Sequence, residues 1–409
     1  MKYDIAIIGG GASGMMAAIR AGELGANVVL LEKNQKLGLK LLATGGGRAN
    51  ITNLKSDREL ADTFGVNGRW LLSSLSKFGP EKLIEFFNNR GLKTKVEDNN
   101  RVFPKSNSAQ DVLQVLINAL EASQVDVKFG AEVKSVVKVD NLIKKVVLAD
   151  GRDVIADKFI LCPGGKSYPL TGSSGDAYKW LKQLGHQVVS PRPALVPVIL
   201  RDKFVKDLEG LSLSDARISC YRDNKKLCST VGPVIFMANG LSGPAILNMS
   251  DTIGQLDPKG LQIRIDLFPN LDFSELDKQV QAEFGSSTKM IRNELGKLVP
   301  PKMVDTLIRL SGINSEKKLN LINREERKVL VHLLKEFDLN VFGLAGYDRA
   351  MVTAGGIDLK EVDSRTMKSK IIENLYLAGE ILDLNGPTGG YNLQLCWTTG
   401  YVAGESVTR

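Results

Sequence analysis

Cysteine and histidine are scarce in this chain of 409 residues: four cysteines, at 162, 220, 228 and 396, and two histidines. No two cysteines form a C-x-x-C pair, and none clusters at metal-ligand spacing. That excludes a disulfide framework, a dithiol reductase of the C-x-x-C type and a zinc site, and no metal is expected. It suits a reducing cytoplasm, which is the expected location. No apolar run reaches the ~18 residues that span a bilayer, so no membrane partner is expected. Repeats, low-complexity tracts and coiled-coil heptads are also missing. The opening "MKYDIAIIGGG" runs straight into a glycine turn, without a signal-peptide cleavage pattern. Charge of one sign is only slightly in excess, at +8, which permits an anionic ligand or nucleic acid and points to neither. The length exceeds one compact core and predicts two or three domains.

What the chain does have is glycine in organised runs. "YDIAIIGGGASGMMAAIRAGELGANVVLLEK" reads as strand, turn, helix, strand. Gly9, Gly11 and Gly14 fit G-x-G-x-x-G: one for a tight turn, one for close approach of a pyrophosphate, one for helix–strand packing. The helix N-terminus then faces phosphate charge. Glu32 closes the second strand, where a carboxylate can accept bonds from a ribose diol. An acid at that place argues against NADP, because a 2′-phosphate would be repelled. NAD and FAD share an ADP half, and this half-site does not separate them.

A second run, "LLATGGGRAN" from Leu41 to Asn50, follows almost at once. FAD is the longer cofactor and needs more protein to line it. Gly45, Gly46 and Gly47 can present backbone N–H groups, and Arg48 a guanidinium, beside the pyrophosphate or the flavin ring. The alternative is a flexible surface loop. The third piece is "NLYLAGEILDLNGPTGGYNLQLCWTTGYVAG", Asn374 to Gly404. A short strand leads to Gly379, Asp383 is placed to bond a ribityl hydroxyl, and a helix opens at Gly389 and Gly390. Its N-terminus favours the negative charge of a reduced flavin. Three pieces converging on one long ligand point to FAD.

These stretches, with "NRVFPKS", "GGKSYPLTGSSGDAY", "GLSGPAIL" and "VTAGGI", resemble the two-dinucleotide-binding-domain flavoproteins. More closely, the chain resembles the bacterial NAD(P)/FAD-dependent oxidoreductases with aminoacetone-oxidase-like and bile-acid-reductase-like members. The resemblance runs from residue 7 to residue 394. It implies non-covalent FAD, a discontinuous FAD domain and a two-part inserted domain, with NAD(P)H as a candidate electron donor. The cofactor set then extends to Ala12 and Ser13 in the first turn, and to Lys33, Lys40, Thr44 and Asn50 along the second stretch. It also takes in Glu132 and Val133, Gly164 and Gly165, and Glu380, Tyr391 and Asn392. Members of the family often carry a Thr-His pair shortly before "GLSGP"; here Met237 and Ala238 stand in that stretch. No catalytic residue is assigned. His186 and His332 fall outside the flavin motifs, so a covalent histidyl flavin is not expected. Cys162 and Cys396 read as inert core thiols. Tyr168 and Tyr391 flank glycine turns near the expected ring, with packing an equal alternative, and Arg101 matches a family loop.

The expected fold class is α/β: a Rossmann-like FAD-binding domain of residues 1–190 and 351–409, with an inserted domain. Within the insertion, 191–270 is rich in β-type runs and reads as a barrel-like part, and 271–350 reads as helical. Residues 126–160 alternate and turn, which predicts a small antiparallel unit. The insertion has no G-x-G-x-x-G, so a separate NADPH domain is not expected. The function expected is an FAD-dependent oxidoreductase moving hydride between flavin and a small-molecule substrate. The alternatives are a flavin-dependent RNA-modification protein and an FAD-binding protein without turnover. No aromatic-basic RNA-binding module is present, so a nucleic-acid partner is not expected. Substrate and oligomeric state stay open.

Overall fold

The computed structural model describes residues 2–285 and 287–409. The chain packs as two compact units, 1–193 with 347–409, and 194–346. Each has its own hydrophobic core.

In the first unit a five-stranded parallel sheet runs in the order 375–377, 156–161, 3–8, 28–31, 126–128. Its centre is the strand Tyr3–Ile8, flanked by pairs such as Ile7 with Ile160 and with Leu30. The continuous apolar runs follow from this: a parallel strand covered on both faces has no polar face, and Ile5–Ile8 are buried throughout. The first helix, Ala12–Glu23, crosses from the first strand to the second. The last helix, Tyr391–Val407, packs beside it at very short range. A side chain at Gly400 would strike the carbonyl of Ser13, and one at Gly404 the carbonyl of Ala17. Trp397 donates from Nε1 to the carbonyl of Ile51 at 3.0 Å, and so ties the last helix to residues 51–53.

The expected antiparallel unit at 126–160 is only partly there. Val133–Val139, Leu142–Leu148 and Asp153–Val154 form an antiparallel sheet. Asp126–Lys128 and Ala156–Leu161 instead join the parallel sheet. There Ala156, Phe159, Ile160 and Leu161 are buried and Val127 half-buried, a long-range choice that local alternation does not encode.

The second unit is a closed barrel in the order 198–200, 240–242, 225–237, 212–222, 261–266, 337–344. Helices Phe273–Gly285, Val304–Ser311 and Arg324–Lys335 lie between the last two strands in sequence. The expectation of a helical part over 271–350 is therefore corrected at its end. Phe337–Leu344 is a strand that pairs with 261–266 and with 198–200 and closes the barrel. Its Phe337, Leu339 and Val341 alternate inward with period two. Conversely, Pro244–Gly254 is a helix inside the β-rich part. Among the described residues no helix is long and apolar enough to cross a membrane, and no group of three or more His, Cys, Asp or Glu could hold a metal.

Candidate functional site

A cleft of the first unit takes in about 1300 Å³ outside protein atoms, its open mouth included. It begins where the central strand ends. Gly9 turns the chain at φ +104°, a conformation that favours glycine. A side chain on Gly9 would strike the carbonyl of Cys162, and one on Gly14 the carbonyl of Gly9. Gly11 has open space around it, as a position meeting a ligand requires. It is also the N-cap of the first helix, which has no side-chain cap and no acid in its first turn. Such a helix start leaves N–H donors unsatisfied and carries partial positive charge. Gly9, Gly11, Ala12 and Ser13 all line the cleft there.

Glu32 lies one strand over and is 7% exposed. One of its oxygens, Oε2, accepts the Gly10 N–H at 2.8 Å. The other, Oε1, accepts from the backbone and side chain of Asn34 at 2.8 and 2.7 Å. These bonds fix the carboxylate on the cleft wall. Lys33 donates to Ser174 at 2.8 Å, and Asn34 donates to the Thr171 carbonyl at 3.1 Å. Both contacts tie residues 171–174 to this end. Glu132, Val133 and Gly164 line the same stretch.

Towards the far end, Lys40 donates to Glu380 Oε2 and to Ser167 Oγ, both at 2.6 Å. Glu380 Oε1 accepts from Ser167 Oγ and from the Thr353 N–H, each at 2.7 Å. Thr353 Oγ1 in turn accepts the N–H groups of Lys166 and Ser167. Lys40 and Glu380 keep 22% and 13% of their side chains exposed, so the pair belongs to the wall and not to open solvent. Thr44, Asn392, Leu393 and Cys396 complete this end. The last helix starts here with Gly390 as its N-cap, again with no side-chain cap and no acid in the first turn. One cleft thus reaches the first turns of two helices that lack side-chain caps, the second through Asn392 and Leu393, an arrangement suited to two separated electronegative groups.

Cys162 and Cys396 both touch the cleft. Burial pushes each thiol up to about 12, so both stay protonated and unreactive at neutral pH. Burial, and then the charge of Glu380, also pushes the Tyr178 hydroxyl far above its usual range.

The structure does not bring every expected residue to the cleft. Gly45, Gly46 and Gly47 form an exposed turn, left-handed at all three positions (φ +58°, +66° and +85°). Arg48 points to other partners: its guanidinium bonds Glu97 and Asn107 and lies 4.1 Å over the Phe103 ring. Asn50, Asp383, Gly389 and Tyr391 are close by in sequence but line no part of the cleft. The absent side chains of Gly165, Gly379 and Gly390 leave room for Thr353, Ser13 and the Thr52 carbonyl, so these three glycines serve packing. Tyr391 is buried, with Lys55 5.5 Å above its ring. Tyr168 holds a left-handed backbone at φ +53°, and Arg101 lies 5.8 Å from the Phe103 ring.

Sequence reasoning missed Gly10, Asn34, Lys36 and the segment Thr171–Ala177 as cleft residues. The stretch "LTGSSGDAY" carried a usable signal, two glycines around a serine pair. Its position on the cleft wall, however, depends on side-chain bonds from Lys33 and Asn34.

The family model described as "HI0933-like protein Rossmann domain" matches residues 3–406. The chain is 32% identical to a "3-dehydro-bile acid delta(4,6)-reductase" from Clostridium scindens, over 99% of both proteins. It is 30% identical to a "Ribosomal RNA dihydrouridine synthase" from Escherichia coli, over 99% of this chain and 98% of the relative. Among solved structures, the 3-ketosteroid delta1-dehydrogenase of Sterolibacterium denitrificans superposes with a TM-score of 0.56, at 13% identity, over 100% of this chain and 99% of the other. This last likeness is one of fold.

Proposed function

The chain belongs to the HI0933-like Rossmann family of FAD-dependent oxidoreductases, and from that premise we propose that it reduces a carbon–carbon double bond conjugated to a carbonyl group in a small molecule. The observation that carries the cofactor half is the pair of uncapped helix starts in one cleft, with the buried Glu32 beside the first. The N–H groups of Gly11, Ala12 and Ser13 would hold the pyrophosphate, and Glu32 the adenosine ribose. The start of the last helix, with Asn392, would face the carbonyl edge of the flavin ring. FAD held there non-covalently supplies the hydride chemistry. The protein supplies position and charge: Lys40, fixed by Glu380 and Ser167, keeps a cation on the wall of the cleft.

The substrate half rests on the two curated relatives. A 3-oxo steroid with a Δ4 double bond and a uracil ring have one reacting group in common, a C=C conjugated to C=O. The names of both relatives describe chemistry at such a bond. A small molecule is favoured by the relative with the higher identity of the two, the bile-acid reductase. NAD(P)H is the proposed source of electrons.

The test is anaerobic. The flavin of the purified protein is reduced with dithionite, excess reductant is removed, and a steroid enone, a simple cyclic enone or a uridine-containing RNA is added. Return of the oxidised flavin spectrum with either enone, and formation of the saturated ketone, supports the reading. Reoxidation by RNA alone moves the assignment to RNA modification. No reoxidation by any of the three overturns it.

A further inference from the structure

The second unit carries a pair of cysteines that the proposed reduction does not use. Cys220 and Cys228 stand directly opposite one another in the ladder between Ser212–Arg222 and Lys225–Met237. Opposed residues of an antiparallel pair send their side chains to the same face, with Cα atoms about 4.5 or 5.5 Å apart. Either spacing lies within the range of roughly 4.4–6.8 Å that a disulfide accepts. The adjacent pair, Ser219 and Ser229, shows how close opposed side chains come in this stretch: their hydroxyl oxygens are 2.8 Å apart. The strands are joined by a tight turn at Asp223 and Asn224, both left-handed at φ +49° and +60°. Arg222 pairs with Lys225 across it; the register shifts by one residue between Tyr221 and Cys220, and from Cys220 the ladder runs regularly through Ser219 and Ser229 to Ala216 and Gly232.

The two thiols differ in access. Cys220 is fully buried in the barrel core, and Cys228 packs against that core but is only half-buried. They also differ in acidity. A hydrogen bond from Cys220 lowers the Cys228 thiol, and the Cys220 backbone N–H adds to the effect. The same hydrogen bond, together with burial, raises Cys220.

We propose that Cys220 and Cys228 form a thiol–disulfide exchange site for small-molecule disulfides, with Cys228 as the attacking thiol and Cys220 as the resolving one. The Cys228 thiolate attacks one sulfur of a disulfide such as oxidised glutathione. The S–S bond breaks and one glutathione leaves as its thiolate. Cys228 now has no charge, which removes the main influence holding Cys220 protonated. Cys220 loses its proton to solvent and attacks the Cys228 sulfur, and the second glutathione leaves. The two cysteines are oxidised to a cross-strand disulfide, and one glutathione disulfide is reduced to two thiols, so electrons and protons balance. Cys162 and Cys396, both pushed up to about 12 by burial, do not compete.

The experiment uses the full-length protein with its flavin. It is incubated with oxidised glutathione at several pH values, quenched in acid and denatured for thiol counting and peptide mapping. Two of the four thiols are expected to disappear together. One peptide pair should be linked through Cys220 and Cys228, and dithiothreitol should reverse the link. The rate should rise with pH below neutrality, as the thiolate fraction grows. Cys220→Ser should stop the reaction at a glutathione mixed disulfide on Cys228, and Cys228→Ser should leave Cys220 unmodified. A lasting mixed disulfide on Cys228 of the unsubstituted protein would overturn the proposal. Loss of Cys162 or Cys396 ahead of the pair would do the same, as would four unreacted thiols.

Discussion

Glu32 shows what one residue does at this site. Its two oxygens accept three protein donors, all from Gly10 and Asn34, and those bonds hold the carboxylate ready for a ribose diol. Glu32→Ala removes both the ribose acceptor and the anchor of the 32–34 turn. We expect FAD binding to weaken by about 1.5–3 kcal/mol, the worth of a hydrogen bond to a charged group. Titration of the apoprotein with FAD reads this directly, and an unchanged dissociation constant would remove Glu32 from the site. His186 is a second informative residue. Its Nδ1 lies 2.9 Å from Glu361 and its Nε2 3.0 Å from Ser369, the order of a serine–histidine–acid triad. Ser369 Oγ already accepts two backbone N–H groups and is buried, so the cluster is a structural lock and not a nucleophile. Burial lowers the pKa of His186 in the folded chain, against the opposing effect of Glu361. The unfolded chain, at the ordinary value near 6.5, therefore takes up the proton first as pH falls. Stability from this group is complete above that value and is lost between it and the lower folded value. Urea midpoints measured from pH 7.5 to 5 should fall in the unsubstituted protein and fall less steeply in His186→Asn.

At the scale of elements, the contact between the first and last helices decides whether the cleft exists. Gly400 and Gly404 let the last helix lie against the backbone of Ser13 and Ala17. Gly400→Val drives a branched side chain into the Ser13 carbonyl and so displaces one uncapped helix start from the other. Overpacking of this kind costs typically 1–3 kcal/mol. We expect a lower Tm together with loss of bound flavin, read as absorbance released on mild heating. The second glycine run behaves differently. Gly46 is left-handed at φ +66° but has open space about it, so Gly46→Val meets backbone strain of roughly 1–2 kcal/mol without a clash. Arg48→Ala breaks a partly exposed ion pair with Glu97, a kind of contact that adds little to stability. If the run serves the 94–107 segment and not the cofactor, Arg48→Ala keeps the FAD dissociation constant and flavin potential of the unsubstituted protein. A shift in either measurement would return Arg48 to the cofactor.

At the scale of the molecule, the chain has one parallel sheet in its first unit and a closed barrel with helices in its second. Phosphate-binding turns of the G-x-G-x-x-G type need a parallel strand–helix–strand crossover, and only the first unit contains the motif. We expect about one FAD per chain, released intact by denaturation, and no second dinucleotide held in the 194–346 unit. Extraction and absorbance give the stoichiometry. Crosslinking of a photoreactive NADPH analogue to peptides of 194–346 would contradict the second half.

The sequence alone determined the first crossover, the Glu32 position and the helix that starts after Gly390. Each is set by neighbours within a few residues: a glycine that must turn, an acid at a strand end, a cap followed by a helical run. Tertiary structure alone decided which of these pieces share a cleft. Local pattern placed Arg48 beside the pyrophosphate or the flavin ring and gave no sign of its partners Glu97, Asn107 and Phe103, which only the folded chain brings to it. Composition assigned 337–344 to a helical part, yet the open edges of 261–266 and 198–200 take it as the closing strand of the barrel. Lys40 and Glu380 are 340 positions apart, and residues 171–174 meet the turn after Glu32 through side-chain bonds from Lys33 and Asn34. Such pairings draw their free energy from burial and from hydrogen bonds between distant segments, and those terms exist only once the chain has closed on itself.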